Sequence, residues 1–378
     1  IFYCINKRNK RNKRNKKNKI KEKKMSNFMI EDEINNPQFE INDIRKPTLF
    51  KTITFSEFKK TDVCKALIKS LLESKIETSC YWSAELICAG HFEELWETII
   101  TFYYKYIHIG NPKISCYLEL KIHQFKSIYN NGYNDTAIRM RNNIKIRKMF
   151  CEIMCILSDA KRKHSIDTVK IKSSDLDTNN IVECLKATSF DFAQPIFHDE
   201  DPPELIIAIN ELAFELSEKN RNVITSCYWI EWILAFDSIC KTDCKCKRRT
   251  SIPVEIKFQT DIIWLIWDTF LEESQKHPQI IQQLVQTSLN IFCLKYKQTT
   301  PKKRKQILYF IVNILCEPFI TICAMEEKII QEHSKEKISV ILSNINTIYT
   351  KIKLNEHSAG TDYLFSHISF KQKFYSFW

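Results

Sequence analysis

Glycine is scarce in this sequence, with only four among 378 residues, where about 7% is usual. Loops that cradle phosphates, oxyanion turns and dinucleotide crevices need glycine, where φ is positive or a ligand touches the backbone. The sequence contains no G-x-x-x-x-G-K-[ST], no G-x-G-x-x-G and no G-x-S-x-G motif. These absences argue against P-loop enzymes, dinucleotide-binding enzymes and α/β-hydrolases.

A catalytic signature is missing as well. The nine histidines are scattered, so no Cys–His or Ser–His–Asp arrangement can be recognised. The stretch His91-Phe92-Glu93-Glu94 differs from the H-E-x-x-H zinc helix at its second residue and at the position of its second histidine. We therefore assign no catalytic residue and expect a non-enzymatic protein.

The sequence has neither a secretory leader pattern nor an uninterrupted membrane span. Its N-terminal residues are polar and basic, without a hydrophobic region. The most apolar stretch, residues 307–324, contains Asn313 and is broken by Glu317-Pro318, which is typical of a buried, kinked helix. We expect a protein without membrane contact.

Fifteen cysteines are present, and most lie in apolar helical patterns, as buried free thiols of a reducing compartment do. Cys240, Cys244 and Cys246 fall within seven residues, and three thiols can converge on a tetrahedral Zn²⁺ ion at about 2.3 Å. Basic neighbours such as Lys245 and Arg248 would favour thiolates. The spacing is not C-x2-C and no second pair lies nearby, so we expect no cofactor. A structural zinc ion is the alternative.

The positive charge of the chain is concentrated at one end. Residues 1–24 contain 12 lysines and arginines and one glutamate, whereas the other 354 residues contain 45 basic and 44 acidic side chains. This segment ends directly before Met25 and carries the low-complexity string KRNKRNKRNKKNK. One interpretation is a basic arm for nucleic acid or acidic surfaces. We favour the other, that translation starts at Met25 and the segment lies upstream.

Two basic clusters in the rest of the chain are candidates for contact with nucleic acid. Their members are Lys245, Lys247, Arg248, Arg249, Lys302, Lys303, Arg304 and Lys305. The second cluster is similar to a nuclear-import string. Because the chain beyond residue 24 is nearly neutral, solvated loops are the simpler interpretation.

The pentapeptide TSCYW occurs twice, at residues 78–82 and 225–229. Such a string rarely repeats by chance, so it indicates an internal duplication. Apolar residues recur at i, i+4 and i+7 in both copies: Trp82, Leu86 and Ala89, then Trp229, Ile233 and Phe236. We predict an all-α fold of two related multi-helix halves, with a short extended N-terminal segment. The first TSCYW helix is predicted over about residues 79–108 and should be central.

Composition shifts divide the chain into five segments. These are a basic low-complexity and polar disordered lead-in (1–48), a first helical unit (49–164), an acidic polar linker (165–202), a second helical unit (203–354) and a C-terminal tail (355–378).

Residues 80–91 and 107–113 resemble a conserved family, without an assigned activity, from nucleocytoplasmic large DNA viruses (giant viruses). Residues 228–232, 240–249 and 261–264 are similar in kind, and the resemblance extends over about residues 50–320. It implies no catalytic residue. It implies a viral protein of the host cytoplasm, in the viral factory, or of the virion, while the import-like string would allow a nuclear location.

We therefore expect a non-enzymatic α-helical scaffold or accessory factor in viral replication, transcription or assembly. Its halves would present grooves to protein partners. The alternative is a nucleic-acid-binding factor that uses the basic loops, with a structural zinc ion. The oligomeric state is left open.

Overall fold

The computed structural model describes residues 37–134, 136–176, 181–240, 244–317, 328–330 and 332–357. Within these ranges the regular structure is helical, apart from one isolated antiparallel bridge between Ile53 and Lys59. The predicted all-α class is confirmed. The basic segment 1–24 and residues 358–378 of the predicted tail lie outside the described residues.

The first part of the chain packs around one central helix, as predicted. The helices are α1 (Lys60–Leu72), α2 (Ile76–Cys88), α3 (Phe92–Phe102), α4 (Ile114–Asn130) and α5 (Ile144–Asp159). The first TSCYW string lies in α2, which packs against both α1 and α5. At the predicted short extended N-terminal segment the chain forms a 3₁₀ turn, Pro47–Phe50, and residues 51–58 are irregular apart from the bridge at Ile53.

The prediction of one long helix over residues 79–108 is wrong. Gly90 takes a left-handed backbone conformation with φ of 79°, and the N–H of His91 donates to the carbonyl oxygen of Leu86 (2.8 Å). This is the pattern by which glycine ends a helix, so α2 stops and α3 begins after one turn. The chain then widens into a π turn, Tyr103–Ile107, and tightens into a 3₁₀ turn, His108–Gly110.

The second part is also helical, and its most buried element is a late helix. Its helices are α6 (Ile206–Leu216), α7 (Val223–Cys240), α8 (Ile263–Ser274), α9 (Gln279–Phe292), α10 (Thr300–Lys303), α11 (Lys305–Cys316), α12 (Glu332–Ser343) and α13 (Ile345–Lys353). Every residue of α11 from Ile307 to Cys316 is buried. The second TSCYW string lies in α7, which packs against α6 and α11.

The two TSCYW copies begin alike and then differ. Each lies in the second helix of a closely packed pair, α1–α2 or α6–α7. These two helices start at Ile76 and Val223, which are 147 positions apart, the same separation as between the two TSCYW strings. Trp229 is fully buried, whereas Trp82 is only half-buried. A turn and α3 follow α2, but residues 244–255 after α7 are not helical. The internal duplication stays a prediction.

The polar linker is held on the second part by two buried polar residues of α6. The Glu211 carboxylate accepts hydrogen bonds from the backbone N–H groups of Lys186 and Ala187 (3.0 Å each). The side-chain oxygen of Asn210 accepts another from Ala193 (3.0 Å). These residues provide partners for the linker's backbone, so it lies on the protein without forming a long helix of its own.

The last described residues return to the first part of the chain. Helix α12 packs on α5, and α13 packs on α2 and on the turn Pro37–Phe39. The Arg147 guanidinium lies 4.0 Å from the centre of the Tyr349 ring and donates to the carbonyl oxygen of Phe39 (3.0 Å).

The two ends of the described chain meet at this surface. The N–H of Ile44 donates to the carbonyl oxygen of His357 (3.1 Å), and the N–H of His357 donates to the Asp43 carboxylate (2.9 Å). Residues 38–48 of the predicted lead-in thus pack on the folded protein. The five segment boundaries stay predictions.

Candidate functional site

A cavity of about 560 Å³ lies between α3 and α4 and is bordered by the second part of the chain. Helix α3 contributes Phe92 and Trp96, α4 contributes Ile122 and Phe125, and the second part of the chain contributes Leu294. Its volume lies in the usual range for ligand pockets, about 300–1,000 Å³. Its apolar lining favours an apolar occupant.

The aromatic floor of the cavity contains an unpaired hydrogen-bond donor. Trp96 is only 8% exposed, and its ring lies edge-on to Phe125, with 5.8 Å between ring centroids. The indole N–H of Trp96 has no acceptor among the described residues. The same is true of Trp229 and Trp267, but these two do not line the cavity. The Trp96 Nε1 atom is enclosed by the protein itself, so an occupant of the cavity would contact the apolar part of this ring.

Three glutamates of α3 line the cavity, and all three are ion-paired. Glu93 lies 3.1 Å from Lys295, Glu94 pairs with Lys60, and Glu97 pairs with Arg304. Burial alone would raise the pKa of Glu93 and Glu94, but the hydrogen bonds from Lys295 and Lys60 and the nearby positive charges outweigh it, so both pKa values are lowered. Glu93 and Glu94 are therefore poor proton acceptors near neutral pH.

Arg304, a candidate for nucleic-acid contact, joins the two parts of the chain instead. Its side chain is buried and donates to the carbonyl oxygens of Phe292 (2.8 Å) and Leu294 (2.7 Å), at the end of α9. Its other side pairs with Glu97 of α3. Basic side chains stabilise helix C-termini in this way. The guanidinium is therefore already saturated with partners.

Two of the three lysines beside Arg304 in the sequence form ion pairs within the described residues. Lys303 lies 3.4 Å from Glu97, and Lys305 lies 3.1 Å from Glu231 of α7. Lys302 is exposed and forms no ion pair within the described residues. One of the four basic residues of this cluster thus remains unpaired.

Arg249 of the other basic cluster is also buried. It forms two hydrogen bonds with Asp201, of 2.6 and 2.8 Å, and one with Asp268 of 2.8 Å. Burial lowers the pKa of Arg249, but the hydrogen bonds to both carboxylates raise it above its usual value overall. This arginine holds the loop after α7 onto α8 and the end of the linker.

The remaining cations of this loop differ in accessibility. Lys245 pairs with Asp261 (2.9 Å), and Lys247 lies 3.4 Å from Glu200. Arg248 is exposed, forms no ion pair within the described residues, and lines a polar cleft of about 410 Å³ with Lys247 and His198.

The three cysteines of this loop do not converge. Among the described residues, the sulfur atoms of Cys240, Cys244 and Cys246 do not all lie within 4.8 Å of one another. Burial raises the pKa of Cys246 to about 12, and burial together with Cys240 raises that of Cys244 to about 11. Basic neighbours were expected to favour thiolates, but Lys245 is paired with a carboxylate. Zinc at this loop stays a prediction.

Three other thiols do converge, within the core of the first part. The sulfur atoms of Cys80 on α2 and of Cys151 and Cys155 on α5 all lie within 4.8 Å of one another. Hydrogen bonds among them raise the pKa of Cys80 and Cys151 and lower that of Cys155. The i, i+4 spacing places Cys151 and Cys155 on one helix face, but no local signal in the sequence points to Cys80.

No protein-family model, curated protein or solved structure matches this chain. The resemblance to a giant-virus family therefore stays a prediction.

Within the described residues, helix α7 is long and apolar enough to cross a membrane, and 39% of it is buried in the protein. Core helices of soluble proteins have the same composition. The expected lack of membrane contact also stays a prediction.

Proposed function

We propose that this protein is a non-enzymatic helical binding protein that takes a large apolar side chain of a protein partner into the cavity between α3 and α4. It would serve as an accessory factor in viral replication, transcription or assembly, as the resemblance implies. The observation that carries the proposal is the apolar, aromatic lining of this cavity of about 560 Å³, to which Phe92, Trp96 and Phe125 contribute.

An extended peptide segment fits this site chemically. Its side chain would replace water against Phe92, Trp96 and Phe125, and burial of an aromatic side chain removes about 150–250 Å² of surface. Recognition of an apolar anchor in a groove between helices is a common mode of binding partners.

The charged rim supports binding rather than catalysis. Glu93, Glu94 and Glu97 are each held by a lysine or arginine, and the pKa values of Glu93 and Glu94 are lowered. General acid–base catalysis works best with a group whose pKa lies near the ambient pH.

The proposal is tested with peptides selected from a phage-displayed random library on the full chain. We expect selected peptides to contain an aromatic or large aliphatic residue. Trp96→Phe replaces the indole with a smaller ring and removes apolar contact area, so affinity should fall about fivefold, which corresponds to about 1 kcal/mol. Ala137 lines the cavity, and Ala137→Phe should fill it and abolish binding.

Trp267→Phe is the matched control, because this buried indole also lacks an acceptor in the described part but lies outside the cavity. It should leave the peptide affinity unchanged. Circular dichroism checks that each variant folds. Peptides that bind a folded Ala137→Phe protein as tightly as the parent would overturn the proposal, and so would a selection that enriches no peptide.

The alternative function, nucleic-acid binding, has fewer residues to support it. Of the eight candidate cations, Lys302 and Arg248 are exposed and without an ion pair within the described residues. The polar cleft that Arg248 and Lys247 line is the one observation in its favour.

A further inference from the structure

Three cysteine sulfur atoms meet where α2 packs against α5. The sulfur atoms of Cys80 and Cys151 are 3.5 Å apart, and that of Cys155 lies within 4.8 Å of both. The three residues are 2%, 2% and 0% exposed. Among the described residues, no other group of three histidine, cysteine or acidic side chains brings its ligand atoms this close.

The geometry is close to that of three ligands around one ion. Metal–sulfur bonds of about 2.3 Å at 120° to one another place the sulfur atoms about 4 Å apart. The sulfur atoms of Cys80 and Cys151, 3.5 Å apart, are slightly closer than that distance, and the sulfur atom of Cys155 lies within 4.8 Å of both. An ion would therefore need only small side-chain adjustments. Cys88, also fully buried on α2, is not part of the cluster.

The number of donors selects the kind of ion. Structural zinc sites are almost always four-coordinate, and in the described part of the chain no fourth cysteine, histidine or carboxylate joins the cluster. Soft thiolate ligands select Cu(I), and a three-sulfur set suits an ion that does not demand a fourth ligand.

We propose that Cys80, Cys151 and Cys155 bind one Cu(I) ion in a three-sulfur site buried between α2 and α5. The ion joins two helices that already pack against each other. Because the unfolded chain does not present these thiols together, binding stabilises the folded state. The site is separate from the cavity beside α3.

The test uses the full chain, produced in copper-supplemented medium and purified under reducing, oxygen-free conditions. Metal content is measured by mass spectrometry after challenge with a chromogenic Cu(I) chelator. We expect one copper ion per chain that resists the chelator. Cys151→Ala and Cys155→Ala should lose it, with affinity at least 100-fold weaker. Cys88→Ala, which removes a buried thiol from the same helix as Cys80, should retain it.

A second measurement needs no variant, which matters if an alanine substitution prevents folding. X-ray absorption at the copper edge of the parent protein should give three sulfur neighbours at one distance. Three results overturn the proposal: a folded parent that retains no copper, copper retained equally by the folded Cys151→Ala and Cys155→Ala proteins, or a parent that retains zinc with four ligands in place of copper.

Discussion

At the scale of single residues, His108 is under the most constraint. Its φ is 49°, a conformation that side chains rarely adopt and that usually costs about 1–3 kcal/mol. The imidazole is 1% exposed and lies edge-on to Phe310, with 5.5 Å between ring centroids. Its Nε2 atom has no partner among the described residues. Burial, and then the charge of Lys163, lowers the pKa of His108 to about 3.

This shift predicts that acid destabilises the protein through His108. Its folded-state pKa lies below the unfolded value of about 6.5, so the unfolded chain takes up the proton first. The free energy of unfolding should therefore fall as the pH decreases from 6.5 towards 3, by about 2 kcal/mol between pH 7 and pH 5. Urea unfolding of the parent and of His108→Gln at both pH values measures this difference.

The comparison isolates one histidine. His91 and His277, whose pKa values are also lowered by burial, are present in both proteins and cancel. If the two proteins lose the same stability between pH 7 and pH 5, His108 is not the neutral buried group described above.

The residue scale is also where sequence reasoning reaches least far. Arg249 and Arg304 were candidates for nucleic acid because they stand in basic strings, yet both are buried in ion pairs. Their partners Asp201 and Glu97 lie 48 and 207 positions away. No local pattern marks such distant pairs. The cavity was missed for a related reason, since the spacing of Phe92 and Trp96 predicts burial but not the space that packing leaves.

At the scale of elements, apolar periodicity predicted most helices and misplaced their ends. The first TSCYW helix starts at Ile76, three residues before the predicted start at residue 79, and the predicted end near residue 108 lies beyond the ends of both α2 and α3. The division at Gly90 was missed because the apolar pattern continues from α2 into α3. The spacing of apolar residues indicates which face of a helix is buried, whereas the position of a helix end depends on the backbone conformation of one residue.

Gly110 allows two elements to approach closely. A Cβ atom there would lie 2.5 Å from the carbonyl oxygen of Lys161 and 2.9 Å from the nitrogen of Lys163. The N–H of Lys163 donates to the carbonyl oxygen of Ile107 (3.1 Å), and that of Ser165 donates to Lys105 (2.9 Å). The chain leaving α5 thus lies directly on the π turn after α3.

We expect Gly110→Ala to push these segments apart. The loss in free energy of unfolding should be roughly 1–3 kcal/mol, as for other overpacked sites, and hydrogen exchange at Lys163 and Ser165 should accelerate. Gly132→Ala is the control, because its φ of 122° makes alanine unfavourable while no atom lies within 4 Å. It should cost stability without changing exchange at those two amides. Unchanged exchange in Gly110→Ala would contradict this account.

At the scale of the whole molecule, most of the net positive charge lies in a segment outside the described residues. Residues 1–24 carry nearly all of the net charge of +12. In the described part, six of the eight candidate cations for nucleic acid are paired with carboxylates. Any attraction of the full chain to nucleic acid should thus come mainly from its first residues.

This separation predicts how DNA binding depends on salt. Removing residues 1–24 should bring the slope of log K against log [salt] close to zero. In the full chain, Arg248→Ala should change the slope by less than one, and Arg139→Ala serves as the control at another exposed arginine. Fluorescence anisotropy with a labelled duplex measures both. A steep slope without residues 1–24 that Arg248→Ala reduces would favour the nucleic-acid function instead.

The hydrogen bond between Ile44 and His357 brings the two ends of the described chain close together. Groups attached before residue 38 and after residue 357 would therefore start from neighbouring points, and their effective concentration for each other would be high, in the millimolar range for short flexible linkers. A donor and an acceptor fluorophore fused to the two ends should transfer energy efficiently in the folded state and lose that transfer on unfolding. The same closeness favours circular permutation, in which a short peptide joins the two ends of the described chain and the chain is opened elsewhere.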